Sequence, residues 1–257
     1  MARFYDEVGK GPAILFSHGT LMDRTMFDEQ VKDLGKDYRC VAFDSRARTD
    51  RWKGPYSLDD MADDCLALMD ELGIEKCVLV GMSLGGFMAF RFVLRHQDRL
   101  DGLVFISTQA KSDPDEFERF GGWFDKLRRQ PRVTREFADW CADVCFGPTT
   151  WRKNRTIAEH WRDRWLTLSG ESVYWESQSW LRREDLSKKI AAIKVPVLIV
   201  HGDEDRPIPL ARVRPMLAVL PDAELVVIEG CGHTANVEAP AETNGAIREF
   251  LQRLRGR

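Results

Sequence analysis

Gly81-Met82-Ser83-Leu84-Gly85 sets one serine between two glycines. The apolar run Cys77 to Val80 comes directly before it, and an apolar helical stretch from Leu84 to Leu94 follows. A strand that turns at once into a helix projects the middle side chain from the turn, and the glycines are needed where the chain folds back on itself. The chemistry on offer is nucleophilic attack, beside a helix N-terminus whose free amides favour developing negative charge. A serine hydroxyl is a weak nucleophile near neutral pH and needs a base. The chain has only five histidines. His233, in Gly230-Cys231-Gly232-His233, lies just past the last apolar run and is assigned as the base. His18 and His201 end apolar runs, where buried rings hydrogen-bond loops; His96 and His160 sit in helical stretches with no companion motif.

The base in turn needs a carboxylate to hold its tautomer and stabilise the imidazolium. Gly202-Asp203-Glu204-Asp205 offers three acids after the run Val195 to Val200. Asp205 lies 28 residues before His233, room for one helix and one strand, so both loops open on the same edge. Asp205 is preferred and Asp203 is the alternative, because pattern separates two residues of one tight turn poorly. A tetrahedral oxyanion needs two backbone N–H groups aimed at it. Leu84 follows the nucleophile, and Thr20 stands in Ser17-His18-Gly19-Thr20, at the end of the run Ala13 to Phe16.

The elements that hold these groups follow from periodicity. Ala13–Phe16, Tyr38–Asp44, Cys77–Val80, Leu103–Ile106, Val195–Val200 and Leu225–Ile228 are continuous apolar runs, as expected of strands buried on both faces of a parallel sheet. Ser57 and Asp60 form a capping-box start. Leu58, Met61, Cys65, Leu68, Met69 and Leu72 then make one stripe that Gly73 ends. Ile247, Phe250, Leu251 and Leu254 mark a C-terminal helix packed on one side. The alternation predicts an α/β fold, a mostly parallel central sheet with helices on both faces. From Ser112 to Lys194 no good strand run occurs, only helical stripes such as Phe117/Phe120/Phe124/Leu127 and Ala158/Trp161/Trp165/Leu168. Residues 1–111 and 195–257 are therefore read as the core, and 112–194 as an inserted helical cap.

The balance of 38 basic and 41 acidic residues, a net charge of −3, gives no global attraction to nucleic acid or anionic membrane. No apolar run approaches the roughly 20 residues of a membrane helix, and Asp6-Glu7 stands where a signal peptide would be apolar, so the chain is expected in the cytoplasm. The six cysteines are spread through apolar runs, as expected of free thiols in a reducing compartment; Cys141 and Cys145 share a helical face without a second metal-ligand pair, and no metal is expected. Seven of the eight tryptophans fall in 112–194. Most are expected to glue short helices together, and Met82, Trp123 and Trp140 are the expected substrate contacts.

Taken together, HGT at 18–20, FDSRAR at 43–48, GPYS at 54–57, LMDELGI at 68–74, GMSLGG at 81–86, VPVLIVHGDED at 195–205 and GCGHTANVEAP at 230–240 resemble the α/β-hydrolase superfamily over nearly the whole chain. Within it the chain is most similar to the enol-lactonase, non-haem haloperoxidase and esterase group. The resemblance implies a triad of Ser83, Asp205 and His233, in the chain order that superfamily uses, a helical cap, no cofactor, and a small-molecule ester or lactone as substrate. The same triad supports C–C bond hydrolysis or perhydrolysis, and a ligand sensor could keep the fold with little turnover. Two departures stand out. Arg46-Ala47-Arg48-Thr49 replaces the usual R-G-x-G, so that loop is expected to run differently, and only Phe4 to Val8 precedes the first strong strand, so one strand fewer is expected.

Overall fold

In the computed structural model, residues 4–112 and 115–256 are described; Met1 to Arg3, Asp113, Pro114 and Arg257 lie outside them. The apolar runs become the strands β1 (Tyr5–Val8), β2 (Ala13–Ser17), β3 (Arg39–Phe43), β4 (Cys77–Met82), β5 (Leu100–Ile106), β6 (Val197–Gly202) and β7 (Ala223–Ile228). They form one sheet in the order β1-β3-β2-β4-β5-β6-β7. Every pair is parallel except β1 with β3, where Tyr5 faces Phe43 and Val8 faces Cys40. The short N-terminal stretch supplies a single strand before β2, set antiparallel on the sheet's edge. Residues of β4 and β6 are buried throughout, which is why their sequences do not alternate.

The strand order reverses at β2, whose neighbours are β3 and β4. Helix α1 (Asp28–Leu34) joins β2 to β3, and α2 (Leu58–Glu71) joins β3 to β4. Right-handed crossovers running in opposite directions put these two helices on opposite faces. α3 (Leu84–Arg95) packs on α2 and on β2, β4 and β5. The C-terminal α11 (Pro240–Arg255) packs on α1 and on β5, β6 and β7. The carboxyl ends of β2 and β4 flank the switch point, where open α/β sheets leave a crevice.

Between β5 and β6 run α4 (Asp115–Leu127), α5 (Arg135–Cys145), α6 (Pro148–Lys153), α7 (Arg155–Trp165) and α8 (Gly170–Leu181); no strand interrupts them among the described residues. α4 packs on α8, while α7 packs on α5 and α6. Aromatics join them: Phe146 stacks on Trp165, Trp123 on Trp140 at 4.9 Å, and Phe124 meets Trp180 edge-on. Their buried side chains are continuous with the sheet's own core. α9 (Leu210–Leu217) and α10 (Ala235–Glu238) complete the chain. Arg46-Ala47-Arg48-Thr49 opens a pair of tight 3₁₀ turns, Arg46–Arg48 and Asp50–Trp52, which carry Arg46 onto Asp64. No helix among the described residues is long and apolar enough to cross a membrane.

α2 begins with the reciprocal cap read from its sequence: the Asp60 amide donates to Ser57 Oγ at 3.1 Å, and the Ser57 amide to Asp60 Oδ2 at 2.8 Å. Replacing Ser57 with Ala removes the hydroxyl half of this box. A loss of about 1 kcal/mol in urea unfolding is expected, with an unchanged denaturant slope.

Candidate active site

Ser83 closes β4 and caps α3 with φ +49° and ψ −109°, a conformation rare for any residue with a β-carbon. Two hydrogen bonds hold the strained turn: the Ser83 amide donates to Ile106 O at 2.9 Å, and Thr108 Oγ1 to Ser83 O at 3.0 Å. The flanking glycines answer to close approach. A β-carbon on Gly81 would lie 2.5 Å from Gly85 O, and one on Gly85 would lie 2.1 Å from Ser17 O in the neighbouring strand. The serine side chain makes no cap hydrogen bond with its own helix, so Oγ is turned outward.

It meets His233. Nε2 of that ring lies 2.9 Å from Ser83 Oγ, and Nδ1 lies 2.8 Å from Asp205 Oδ2. Asp205 is buried, and its other oxygen accepts the Ile208 amide at 2.9 Å. The structure therefore brings Asp205 to the histidine, whereas Asp203 is exposed and accepts the Gly230 amide at 2.7 Å. With its carboxylate on Nδ1–H, the ring presents a bare Nε2 to the hydroxyl. His201 lies under this group. Its Nε2–H points to Ile208 O at 2.8 Å and stands 3.3 Å from Asp205 Oδ2. Burial pushes the His201 ring below the ordinary histidine range against the pull of Asp205. His18 is buried too. Nε2 accepts the Ser45 amide at 2.9 Å, so Nδ1 carries the proton and donates to Gly19 O at 2.8 Å. Burial and the Arg48 guanidinium both push His18 down.

Two further carboxylates hold the loops of this site, Glu238, which pattern reading missed, and Glu204, one of the three acids of the 202–205 turn. Glu238 Oε1 accepts from the amide and hydroxyl of Thr234; Oε2 accepts from the amides of Gly232 and Gly147 and from Thr150 Oγ1. It thus grips the backbone on both sides of His233. Glu204, next to Asp205, accepts from the amide and hydroxyl of Thr149. The His233 amide itself donates to Cys145 O at 2.7 Å. Residues 145–150 of the helical insertion are therefore bonded into the loops that carry the histidine and the aspartate. Glu238 lies inside the 230–240 block, but its donors are mostly backbone amides, which leave no side-chain signature.

Thr20 and Leu84, whose amides were expected to receive an oxyanion, stand at the ends of β2 and β4. Leu84 opens α3, so its N–H has no partner within the helix. Thr20, Ser83 and His233 line one cavity, whose walls are otherwise mostly apolar, with Thr234 and Glu116 as the further polar members. Of the residues named as substrate contacts, Met82 and Trp140 line this cavity. Trp123 does not: it stacks behind Trp140, with Lys126 over its ring. Trp180, Phe120, Phe124 and Phe87 from the surrounding helices, and Leu21, Met22 and Ile208 from the loops, make up most of the apolar wall. Cys141 and Cys145 face the same space as free thiols, and burial pushes Cys145 up to about 12, so it lines the cavity as a neutral group.

Residues 12–240 match the sequence model of the family described as alpha/beta hydrolase fold. The chain is 33% identical to the AB hydrolase superfamily protein YisY of Bacillus subtilis (strain 168), over 96% of this chain and 94% of that one. It is 29% identical to a non-heme haloperoxidase of Rhodococcus erythropolis, over 97% and 95%. A thermophilic esterase from Thermogutta terrifontis superposes with a TM-score of 0.91 at 29% identity, covering 97% of this chain and 93% of that structure.

The two depressed histidines set a pH window for stability. Below the ordinary value of 6.5 the unfolded chain takes up protons on His18 and His201 that the folded chain refuses. Their contribution is complete above that pH and is lost as pH falls toward the folded values. The thermal midpoint should decline from about pH 7 to about pH 5, before most carboxylates protonate. A His201→Gln variant should decline less steeply, and an equal slope would remove His201 from the explanation.

Proposed function

The chain belongs to the α/β-hydrolase fold family, and from that premise we propose that it is a serine hydrolase cleaving a carboxylic ester or lactone of a small substrate. The observation that carries this reading is the unbroken chain from Ser83 Oγ through the His233 ring to Asp205. Ser83 Oγ attacks the acyl carbon while its proton passes to His233 Nε2. The Thr20 and Leu84 amides receive the oxygen as it becomes an oxyanion, each such donor being worth on the order of 3 kcal/mol in the transition state. On collapse the carbon–alkoxy bond breaks, and the leaving oxygen takes the proton from Nε2. Water, deprotonated by the same ring, then attacks the acyl-enzyme and returns the serine.

The apolar wall favours an apolar acyl or alkyl group beside the serine. The helical segment 112–194 serves in this reading as the cap, since Trp140, Trp180 and Phe120 come from it. The esterase likeness at 29% identity supports carboxylic ester chemistry. The relative named a haloperoxidase favours a second reaction on the same acyl-enzyme, in which hydrogen peroxide replaces water and a peracid leaves.

Ser83→Ala and Asp205→Asn should each lower kcat for short p-nitrophenyl esters by about ten-thousand-fold while leaving the fold intact. A fluorophosphonate should add one label at Ser83 by mass. Purified Ser83→Ala protein with undiminished turnover would overturn the assignment. Peracid formation from acetate and hydrogen peroxide by the same protein would identify the second reaction.

A further inference from the structure

Glu176 sits in the middle of α8, fully buried, with no place in the relay described above. Its Oε2 accepts the Leu21 amide at 3.0 Å, across 155 positions of sequence. The same oxygen accepts Arg48 Nη2 at 3.1 Å. Arg48 Nε in turn donates to Met22 O at 2.8 Å. Arg48 is the residue that stands inside the departed R-G-x-G loop, and its side chain is as buried as its partner's: 5% and 0% exposed. A carboxylate from the insertion and an arginine from the β3 loop therefore close on the short segment after β2.

That segment is Gly19 to Met22, and it carries the Thr20 amide. We propose that Glu176 is a positioning residue that aims the Thr20 N–H at the reacting oxygen, a role that rests on the hydrolase reading. Thr20 lies between two peptide planes, and each plane is pinned. The Gly19–Thr20 plane is held through Gly19 O, which accepts from the Met22 amide at 3.1 Å and from His18 Nδ1. In a trans peptide the N–H points opposite to the C=O, so Thr20 N–H is directed away from His18 and Met22. Thr20 and Ser83 line the same cavity, and the segment runs against the serine turn: a β-carbon on Gly19 would stand 2.4 Å from Met82 Sδ and 3.4 Å from Ser83 Cβ. The Thr20–Leu21 plane is held through the Leu21 N–H, and there Glu176 is the acceptor.

Leu21 has φ +68°, a left-handed conformation that a leucine adopts only under constraint. Without an acceptor for its buried N–H, the constraint is gone and the plane after Thr20 is free to rotate. That rotation carries the Met22 N–H away from Gly19 O and leaves the plane that bears the Thr20 N–H held by His18 Nδ1 alone, so the Thr20 amide loses its aim although no catalytic atom has been removed. Stability alone does not account for the arrangement. Apolar residues of similar volume commonly replace a buried ion pair at no loss of stability, but they cannot accept the Leu21 amide.

The test uses an Arg48→Met/Glu176→Met double variant, which replaces the pair by apolar volume, together with Glu176→Ala and Glu176→Gln. Turnover of p-nitrophenyl butyrate is normalised to Ser83 sites titrated with a fluorophosphonate, so unfolded molecules are not counted. Inhibition by an aryl trifluoromethyl ketone, which adds to the serine as an oxyanion, is measured alongside. The double variant and Glu176→Ala should lose about tenfold or more in kcat with KM within about twofold, and ketone affinity should fall by the same factor. Glu176→Gln keeps an oxygen for the Leu21 amide and should recover most of the loss. Titratable double variant or Glu176→Ala with wild-type kcat and wild-type ketone affinity would overturn the proposal alone. Wild-type protein that neither turns over ester nor takes the label would overturn the hydrolase reading, and this proposal with it.

Discussion

A serine held at φ +49° is the constraint around which the rest is arranged. A β-carbon in that region costs on the order of 1–3 kcal/mol and persists only where the surroundings over-determine it. Here the surroundings are the centre of the sheet. β4 carries the serine to its carboxyl end, β5 supplies Ile106 O to the serine amide, β2 leaves just enough space for Gly85 to pass Ser17, and Thr108 caps the serine carbonyl. α3 is buried on nearly every side, which fixes the direction in which the turn must continue. The strain turns Oγ away from its own helix and leaves the Leu84 amide unclaimed within the helix. Both consequences are what an attacking hydroxyl and a developing oxyanion require.

Carboxylates hold the loops that complete the site, Asp205 and Glu176 buried, Glu204 and Glu238 partly exposed. Asp205 organises its own loop through the Ile208 amide and the ring of His233. Glu238 collects five donors around that histidine, Glu204 ties the aspartate loop to Thr149, and Glu176 holds the Leu21 amide. Hydrogen bonds to ionised groups are stronger than neutral ones and impose direction as well as proximity. A site made of irregular backbone gains from this, since no ladder of strand or helix bonds fixes its geometry.

Much of this could be read from the residues, and the boundary of legibility is physical. The strands, the reciprocal cap of α2 and the serine turn follow local rules of burial and sterics, so short stretches of sequence carry them. His233 follows from the position of one glycine-rich loop. The choice between Asp203 and Asp205 depends on which way a tight turn faces, and in the structure the exposed Asp203 serves the Gly230 amide while Asp205 turns inward. Glu238 was missed because most of its donors are backbone amides, present at every position, and Glu176 because its partners, the Leu21 amide and Arg48, lie more than a hundred positions away. Trp123 was expected at the substrate because an aromatic helix face looks the same whether it walls a cavity or supports another indole. In the structure it supports Trp140.

The bond from the His233 amide to Cys145 O has a consequence for how the molecule can be taken apart. A hat that merely rests on a sheet can be exchanged for another without disturbing what lies beneath. Here residues 145–150 are mortised into the two loops that carry the histidine and the aspartate, through Cys145 O, the Gly147 amide and the Thr149 and Thr150 side chains. Excising the insertion would leave Glu204 and Glu238 with fewer donors and the histidine loop without its brace. The sheet-bearing part of the chain is therefore not a self-sufficient module, and grafts or deletions that keep 145–150 in place are the ones compatible with the Ser83–His233–Asp205 hydrogen bonds.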